Sequence, residues 1–477
     1  MKRRGSIGFV LLFVLCQAKS AIAQIDKQAQ TYDFTMEDCL ASALTRNPEI
    51  RQLQSDVERA AGTRLVYRSR ALPHLATQLS VGGRGGDLYI PPQVKAILTN
   101  SVTRLITNNT AVIGPVLYSL VTAQFSQPLF DAGVPPSLRR GRLEVILAQQ
   151  NLNRAVTDRL HEARLIFLQA LYLRDLVAVH EELDRHLQAN VQSEQQRYDV
   201  GAANEAELKA AKIQQLNLEL NLANLRADGF ATVTRLAEVC GRDPSQHTNG
   251  ASRLWLPKPV GALRYEPTPV DLAQQSAYAL QHRADLKLLQ ALIDATTADK
   301  QTVQGAYLPT ISLVASGLFF PQSALVSKQT DIVPGQDTRA SQLEAGVAMS
   351  WRIIDNGQII GASRQLAATQ QAYEITRRKL EQNVPRELAT VEGALQSADE
   401  RHEAFLKAAE AAEQNLRLVE AQVTLGQATQ FDFLKAQTNL LSVREGIADA
   451  THSHEVARAE LDHVTGRYLE YIAAAVP

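Results

Sequence analysis

The chain is poor in cysteine, in long apolar segments and in excess charge of either sign. Its 477 residues contain three cysteines, and 49 basic residues nearly balance 50 acidic ones. A net charge near zero argues against nucleic acid as a partner. Beyond the N-terminus no segment offers ~18 consecutive apolar residues, which excludes a transmembrane helix from the mature chain.

The N-terminus has the features of a secretory signal peptide, which we assign to residues 1–23. Lys2, Arg3 and Arg4 precede an apolar run, and Ala21-Ile22-Ala23 is a cleavage site of small residues. Cys16 follows the bulky Leu15 rather than a small residue, so we expect no N-terminal lipidation. Cys39 and Cys240 then remain, at positions that do not correspond between the two halves of the chain, and we expect no disulfide framework.

The rest of the chain consists of two halves with similar sequence landmarks. Landmarks such as Ala43-Leu44 and Leu72-Pro73 recur 236 residues later, and Asp131-Ala132-Gly133 recurs 224 residues later as Asp355-Asn356-Gly357. Because solenoid repeats run at roughly 20–50 residues, this period indicates a duplicated half-protein. We predict structural repeats at 24–266 and 267–477. The first has a net excess of twelve residues, which we place in an exposed loop over 87–115.

Each half combines long helices with short strands. From Gly133 to Gly201 apolar residues follow the 3/4 spacing of a coiled coil, and some 65 helical residues would span about 100 Å. The chain then reverses near residue 201, and near 426 in the second half, where Pro385 should bend or break the long helix. Period-two alternation predicts four strands, at about 74–83, 116–130, 309–320 and 343–354.

These four strands suit a membrane, although paired hairpins in a soluble domain would show similar alternation. The fourth carries Glu344 and Arg352 on one face and is continuously apolar on the other. Four strands cannot close a barrel, since small barrels need at least eight, and each backbone group left unpaired in hydrocarbon costs several kcal/mol. Several chains would therefore have to share one barrel.

The motifs that identify a family occur in order in both halves. They are Ala43-Leu44 with Asn47-Pro48-Glu49, Leu72-Pro73, Gln127 to Gly133, Arg197 with Gly201, Leu425-Gly426 and Phe431 to Gln437. In these motifs the chain resembles the outer membrane factor family, the TolC-like outer membrane efflux proteins. The resemblance implies a mainly α fold with a small β part. Each duplicated protomer would combine long coiled-coil helices with four transmembrane strands.

The resemblance also implies an assembly and a function. Three protomers would form a homotrimer with a 12-stranded barrel in the outer membrane of a Gram-negative bacterium, standing on an α-helical periplasmic tube. The channel would be a passive exit duct of a tripartite efflux pump or of type I secretion. Its partners would be outer-membrane lipid, a periplasmic adaptor, and an inner-membrane pump or ABC exporter. The cargo is not indicated.

Two sets of residues at the hairpin reversals follow from the resemblance. Adaptor-docking tips would comprise Arg197, Gly201, Leu208, Gly426, Phe431 and Leu434, although the glycines could be turn residues alone. A periplasmic gate would comprise Glu207, Asp432 and Lys435. Each acid lies six residues after a tip glycine. The alternative is that the acids only favour a helix N-terminus, worth ~0.3–1 kcal/mol.

The signals for an enzyme are poor. His180 and His186 are six residues apart, so they do not share the helix face that a zincin motif needs. We interpret His452 and His454 as solvated helix residues. We find no set of nucleophile, base and orienting group, and we predict no enzyme, cofactor or metal site. The remaining alternative is a periplasmic coiled-coil scaffold or adaptor without a barrel.

Overall fold

A computed structural model describes residues 30–89, 92, 106–107, 110–201, 204–242, 255–267, 269–322 and 338–470. The predicted signal peptide lies outside these residues, as does most of the predicted 87–115 loop. The elements of the first half are β1 (Gln30–Phe34), α1 (Met36–Arg46), α2 (Pro48–Ser69), β2 (His74–Tyr89), β3 (Ile106–Thr107), β4 (Thr110–Phe130), α3 (Val134–Asp199), α4 (Glu205–Val239) and β5 (Trp255–Pro259). Those of the second half are α5 (Leu272–His282), α6 (Ala284–Gly305), β6 (Thr310–Gln322), β7 (Thr338–Ser350), α7 (Gln358–Thr424) and α8 (Gln430–Thr465).

The chain forms two compact units, and each unit contains residues from both halves. One comprises Met1–Glu58, Leu147–Gln290 and Glu374–Pro477, and it holds α1, α4, α5, α8 and the larger parts of α3 and α7. The other comprises Arg59–Ile146 and Ala291–Tyr373, and it holds the main sheet. The same order of helix pair, two long strands, long helix and return helix occurs in both halves.

The main sheet is antiparallel, with strand order β2-β4-β6-β7, and β3 pairs with the start of β4. Its register places apolar residues of neighbouring strands side by side. Leu75 pairs with Phe125, which pairs with Ala315, which pairs with Ala345. The adjacent row, Ala76, Gln124, Ser316 and Glu344, belongs to the opposite face. The sheet therefore has one apolar and one largely polar face, because side chains alternate along each strand.

The apolar face is open to the surroundings. Its large apolar side chains are exposed, namely Leu75, Leu79, Leu343, Val347 and Met349. A soluble protein would bury such a row against another layer. No element of the described chain covers them. This face is suited to lipid, as the alternation predicted.

Strand lengths differ from the predicted ones. β2 extends to Tyr89 and β4 begins at Thr110, so both continue into the segment predicted as a loop. They hold 16 and 21 residues, whereas β6 and β7 hold 13 each, so most of the excess of the first half lies in longer strands. β7 ends at Ser350 rather than 354. The Asp355 carboxylate accepts hydrogen bonds from Gly357 N and Ile359 N (3.0 and 2.8 Å), and these bonds fix the start of α7.

The long helices have 66 and 67 residues, and no helix in the described ranges is apolar enough over its length to cross a membrane. Pro385 was predicted to bend or locally break the second of them, and the break does not occur, because α7 runs through Pro385. Proline removes one backbone donor and crowds the preceding turn. Val384 and Leu388 on either side are fully buried with Ala279 and Val391, and this packing offsets the cost.

Equivalent junctions hold the ends of the two return helices. Gly241 follows α4 with φ +66°, and Gly466 follows α8 with φ +79°. A Cβ on Gly241 would lie 2.7 Å from Asn47 N, and one on Gly466 would lie 3.3 Å from Arg283 Cα. Each glycine therefore lets a return helix end directly against the turn between the first two helices of its own half.

Candidate functional site: the helical hairpin tips

The first hairpin tip lies between α3 and α4. Val200 N donates to Gln196 O at 3.2 Å, and Gly201 N donates to Tyr198 O at 2.9 Å. Gly201 then takes φ +76°, with no heavy atom within 4 Å of the position of a Cβ. The glycine is needed here for its left-handed backbone and not for space.

The second tip, between α7 and α8, closes in a Schellman motif. Gln427 N donates to Gln422 O at 2.8 Å, and Gly426 between them has φ +71°. Thr429 then caps α8. Its hydroxyl accepts from Asp432 N at 3.2 Å, while Thr429 N donates to the Asp432 carboxylate at 2.9 Å. This reciprocal capping box fixes where α8 begins.

Asp432 is therefore a capping residue as well as a predicted gate residue. The Thr429 hydroxyl also donates to its carboxylate at 2.6 Å, and these hydrogen bonds lower the pKa of Asp432 below its ordinary value of 3.8. The carboxylate stays charged at neutral pH, exposed at the tip beside the exposed Lys435. Glu207 is the third residue of α4, as Asp432 is the third of α8. The side chain of Glu207 lies outside the described part of the chain.

The predicted docking residues divide into two groups. Leu208 and Leu434 are buried, at 6% and 4% exposure, whereas Phe431 is 58% exposed. Arg197 is half-exposed and donates to Glu194 at 2.8 Å. Leu434 packs with Leu183, Leu187, Leu218 and Leu222 in a cluster that joins α8 to α3 and α4. The two leucines therefore hold the tips together, and only the exposed residues can contact a partner.

A polar stretch of the coiled-coil core near the first tip was not predicted. The buried positions of α3 continue from Leu183 and Leu187 to Asn190 and Glu194, with the same 4-3-4 spacing. Asn190 Oδ1 accepts from Gln430 Nε2 of α8 at 2.8 Å. Asn190 Nδ2 and Glu194 Oε2 are buried and lack a hydrogen-bond partner in the structure as described. The 4-3-4 spacing of these positions is visible in the sequence, whereas their polar side chains do not fit an apolar coiled-coil pattern.

Exposed apolar residues mark both tips. Val200 is 79% exposed and Leu425 is 71% exposed, each directly before its tip glycine. Phe431 is the second residue of α8. Large apolar side chains at the ends of charged helices are unfavourable in water unless another surface covers them.

His180, His452 and His454 are packed into the helical core, and the prediction that His452 and His454 are solvated was wrong. His454 is fully buried between the Asp399 carboxylate at 2.7 Å and Glu266 O at 3.2 Å. His452 stacks on Tyr172, and burial lowers its pKa. His180 Nε2 lies 2.9 Å from Glu445 Oε1, and His180 Nδ1 lies 3.0 Å from Leu176 O. The hydrogen bond with Glu445 raises the pKa of His180.

One cluster among the described residues has the donor atoms of a metal site. The ligand atoms of His161, Glu460 and His463 lie within 4.8 Å of one another. His161 Nε2 is 2.9 Å from Glu460, and His463 Nε2 is 3.1 Å from Asp158. The two imidazole rings stack at 4.3 Å. The Nε2 atom of each histidine therefore lies against a carboxylate, in a hydrogen-bond network between α3 and α8.

An exposed apolar sheet of four strands, joined to long helical hairpins with exposed tips, is the architecture of one protomer of an outer-membrane channel. The chain belongs to the outer membrane efflux protein family, whose match covers residues 39–242 and 276–467. It is an efflux channel protein of the outer membrane. The predicted family, mainly α fold and location are confirmed. A scaffold without a barrel does not agree with this membership.

Individual relatives are distant in sequence. The chain is 25% identical over 353 residues to outer membrane efflux protein BepC of Brucella suis, covering 73% of this chain and 72% of that protein. It is 22% identical to outer membrane protein TolC of Escherichia coli, covering 61% and 56%. The CmeC outer membrane channel of Campylobacter jejuni superposes with a TM-score of 0.72 at 13% identity, covering 92% and 89%. That likeness shows the fold.

Proposed function

We propose that three copies of this chain close one 12-stranded barrel and act as the passive exit duct of a tripartite efflux assembly. The observation that supports this most directly is the sheet itself, which combines an exposed apolar face with two edges that are open in the described part of the chain. β2 pairs on one side with β4, and β7 pairs on one side with β6. In hydrocarbon such edges would leave rows of backbone groups unpaired, at several kcal/mol each.

Pairing of β7 with β2 of the next copy removes both edges at once. Three copies with four strands each give twelve strands, an even number within the range of bacterial barrels. The apolar face then contacts lipid, and the row with Gln124, Ser316 and Glu344 lines a water-filled interior. A closed ring of identical sheets needs no further chain.

Cysteine cross-linking tests this closure. Thr77→Cys in β2 is combined in one chain with Leu343→Cys or Ala345→Cys in β7, on the same face. Oxidation in membranes should link neighbouring copies and give species up to a trimer. The control pairs Thr77→Cys with Ala123→Cys, which are register partners within one chain and should give only monomer. Monomer from every pair would contradict the shared barrel.

We infer that the exposed tips dock a periplasmic adaptor. Val200, Leu425 and Phe431 supply exposed apolar contacts, while Arg197 supplies a charged one. Gly201 and Gly426 form the turns that present them, and the buried Leu208 and Leu434 keep the turns in place. The apolar exposure at both tips supports docking rather than turn formation alone.

In-cell photo-crosslinking tests the docking surface. A photo-reactive residue replaces Glu205 or Gln427 at the tips, or Gln396 in the middle of α7 as the control. Capture of an adaptor from the tips and not from Gln396 is expected. A proton-driven pump captured with it would identify small-molecule or metal efflux, and an ATP-driven exporter would identify protein secretion. No adaptor at either tip, in cells with an active channel, would contradict the inference.

The gate is proposed at the same end of the helices. Glu207, Asp432 and Lys435 would set the charge of the periplasmic mouth, which opens when docking realigns the helices. The buried polar residues Asn190 and Glu194 support this movement. They replace the apolar side chains that pack the rest of the coiled coil, so the helices are held together less strongly here. Partly satisfied buried polar groups cost stability, so a second arrangement that satisfies them becomes accessible.

Single-channel recording tests the gate. Glu207→Gln with Asp432→Asn should lower the preference for cations, because rings of acids favour them. Glu400→Gln in α7 removes an exposed acid away from the tips and should leave selectivity unchanged. Unaltered selectivity in the double variant would leave only the capping role for Asp432.

A further inference from the structure

The two cysteines of the mature chain are in contact. Cys39 lies in α1, and Cys240 directly follows α4, 201 residues further along the chain. Their Sγ atoms are 3.5 Å apart, and both side chains are fully buried. The two positions do not correspond in the repeats, and the contact arises from their places in space.

We propose that Cys39 and Cys240 form a disulfide bond in the exported protein, which ties the N-terminal helix to the end of the first hairpin. The location supplies the conditions, since disulfides form and persist in the bacterial periplasm. No other cysteine competes in the mature chain, because Cys16 belongs to the predicted signal peptide.

The reaction needs an oxidant, which we identify by class as a periplasmic thiol–disulfide oxidoreductase. The thiolate of one cysteine attacks the disulfide of the oxidant and forms a mixed disulfide, releasing one thiolate of the oxidant. The thiolate of the second cysteine then attacks the protein sulfur of the mixed disulfide. The products are the Cys39–Cys240 bond and the reduced oxidant, whose two thiolates take up the two protons lost by the protein thiols and become a dithiol.

The backbone around both cysteines is fixed by independent contacts. Asn47 Nδ2, at the end of α1, donates to Val239 O at 3.0 Å. Gly241, next to Cys240, packs against the turn at Arg46 and Asn47. The strands that flank these helices, β1 and β5, pair in parallel from Gln30 with Trp255 to Phe34 with Pro259. The two chain segments therefore meet whether or not the sulfurs are bonded, and closing the bond needs only a small approach of the Sγ atoms.

Burial determines when the bond forms. Both thiols lie in a hydrophobic core that includes Phe34, Leu160, Phe167 and Leu236. An oxidoreductase therefore cannot reach the thiols in the folded protein. The Cys240 thiol and burial raise the pKa of Cys39, which keeps it protonated and unreactive. Oxidation must accordingly occur while the chain folds, and the finished bond is then protected from reductants.

The second half builds the same junction without sulfur. By the offsets of the flanking landmarks, Cys39 corresponds to Gln275 and Cys240 corresponds to Thr465. There Arg467 donates to the Gln275 side chain at 2.9 Å, and Gly466 closes against Arg283.

Differential alkylation of protein taken from the outer membrane tests the bond. The protein is denatured in iodoacetamide, reduced, labelled with an isotopically heavier reagent, and digested for mass spectrometry. Both cysteines should carry only the heavy label, and a non-reduced digest should contain their linked peptides. The light label on both cysteines in most molecules would overturn the proposal.

A matched variant shows that the assay reports pairing and not inaccessibility. Cys39→Ala leaves Cys240 without its partner, so Cys240 should take the light label once the protein is denatured. If Cys240 of this variant carried only the heavy label, its partner in the wild-type protein would not be Cys39, and the assignment would fall.

Discussion

The leucine cluster near the tips predicts how much stability is lost when Leu434 is truncated. Leu434 is 4% exposed and packs with Leu183 and Leu187 of α3 and with Leu218 and Leu222 of α4. Leu434→Ala removes its buried contacts and leaves a cavity, which in protein cores costs about 2–5 kcal/mol. We expect about 2–3 kcal/mol, near the lower end of that range, because a small cluster beside a helix end can partly collapse.

Hydrogen exchange of the tip amides measures this loss locally. Because each 1.4 kcal/mol is tenfold, amides of the first turns of α8 should exchange about 30- to 150-fold faster in Leu434→Ala. Phe431→Ala, one turn earlier and 58% exposed, should change the opening free energy by less than about 0.5 kcal/mol while weakening adaptor capture. Unchanged exchange in Leu434→Ala, or equal effects of the two variants, would refute the division into buried supports and exposed contacts.

Two further predictions concern the helical core. Because Glu445 raises the pKa of His180 above 6.5, the stability from this pair is present below pH 6.5 and is lost as pH rises through the higher folded pKa. Thermal unfolding of Glu445→Gln should therefore show a larger deficit against wild type in mildly acidic buffer than in alkaline buffer, and a deficit independent of pH would contradict the pairing. Gly241→Ala should cost about 2 kcal/mol or more in denaturant unfolding, because φ is +66° and Asn47 N lies 2.7 Å from the new Cβ. Gly229→Ala, inside α4 with open space around it, should instead stabilise by up to about 1 kcal/mol, and a similar loss at both glycines would refute the steric argument.

Local patterns predicted the features that depend on local chemistry. Period-two alternation identified the strands and their faces, because a side chain on a strand points to one side or the other. Gly201 and Gly426 were predicted at reversals because few other residues adopt a left-handed backbone, and both have positive φ. The repeated landmarks also indicated two halves with the same order of elements.

Features that depend on contacts between distant segments were not predictable in this way. Leu208 and Leu434 fit the docking motif, yet their burial is decided by which helices pack beside them. The contact of Cys39 with Cys240 arises from the junction between α1 and α4. The length of β2 and β4 is set by the ladder between them, which extends pairing through glycines that individually disfavour strand.

The proposed duct requires that three chains share one barrel in the outer membrane. Cryo-electron microscopy of the protein extracted from outer membranes into lipid nanodiscs tests this most directly. A shared barrel should give a threefold-symmetric particle in which β7 of each copy pairs with β2 of the next, for twelve strands in all. A monomeric particle, or a sheet whose β2 and β7 pair within a single chain, would contradict it.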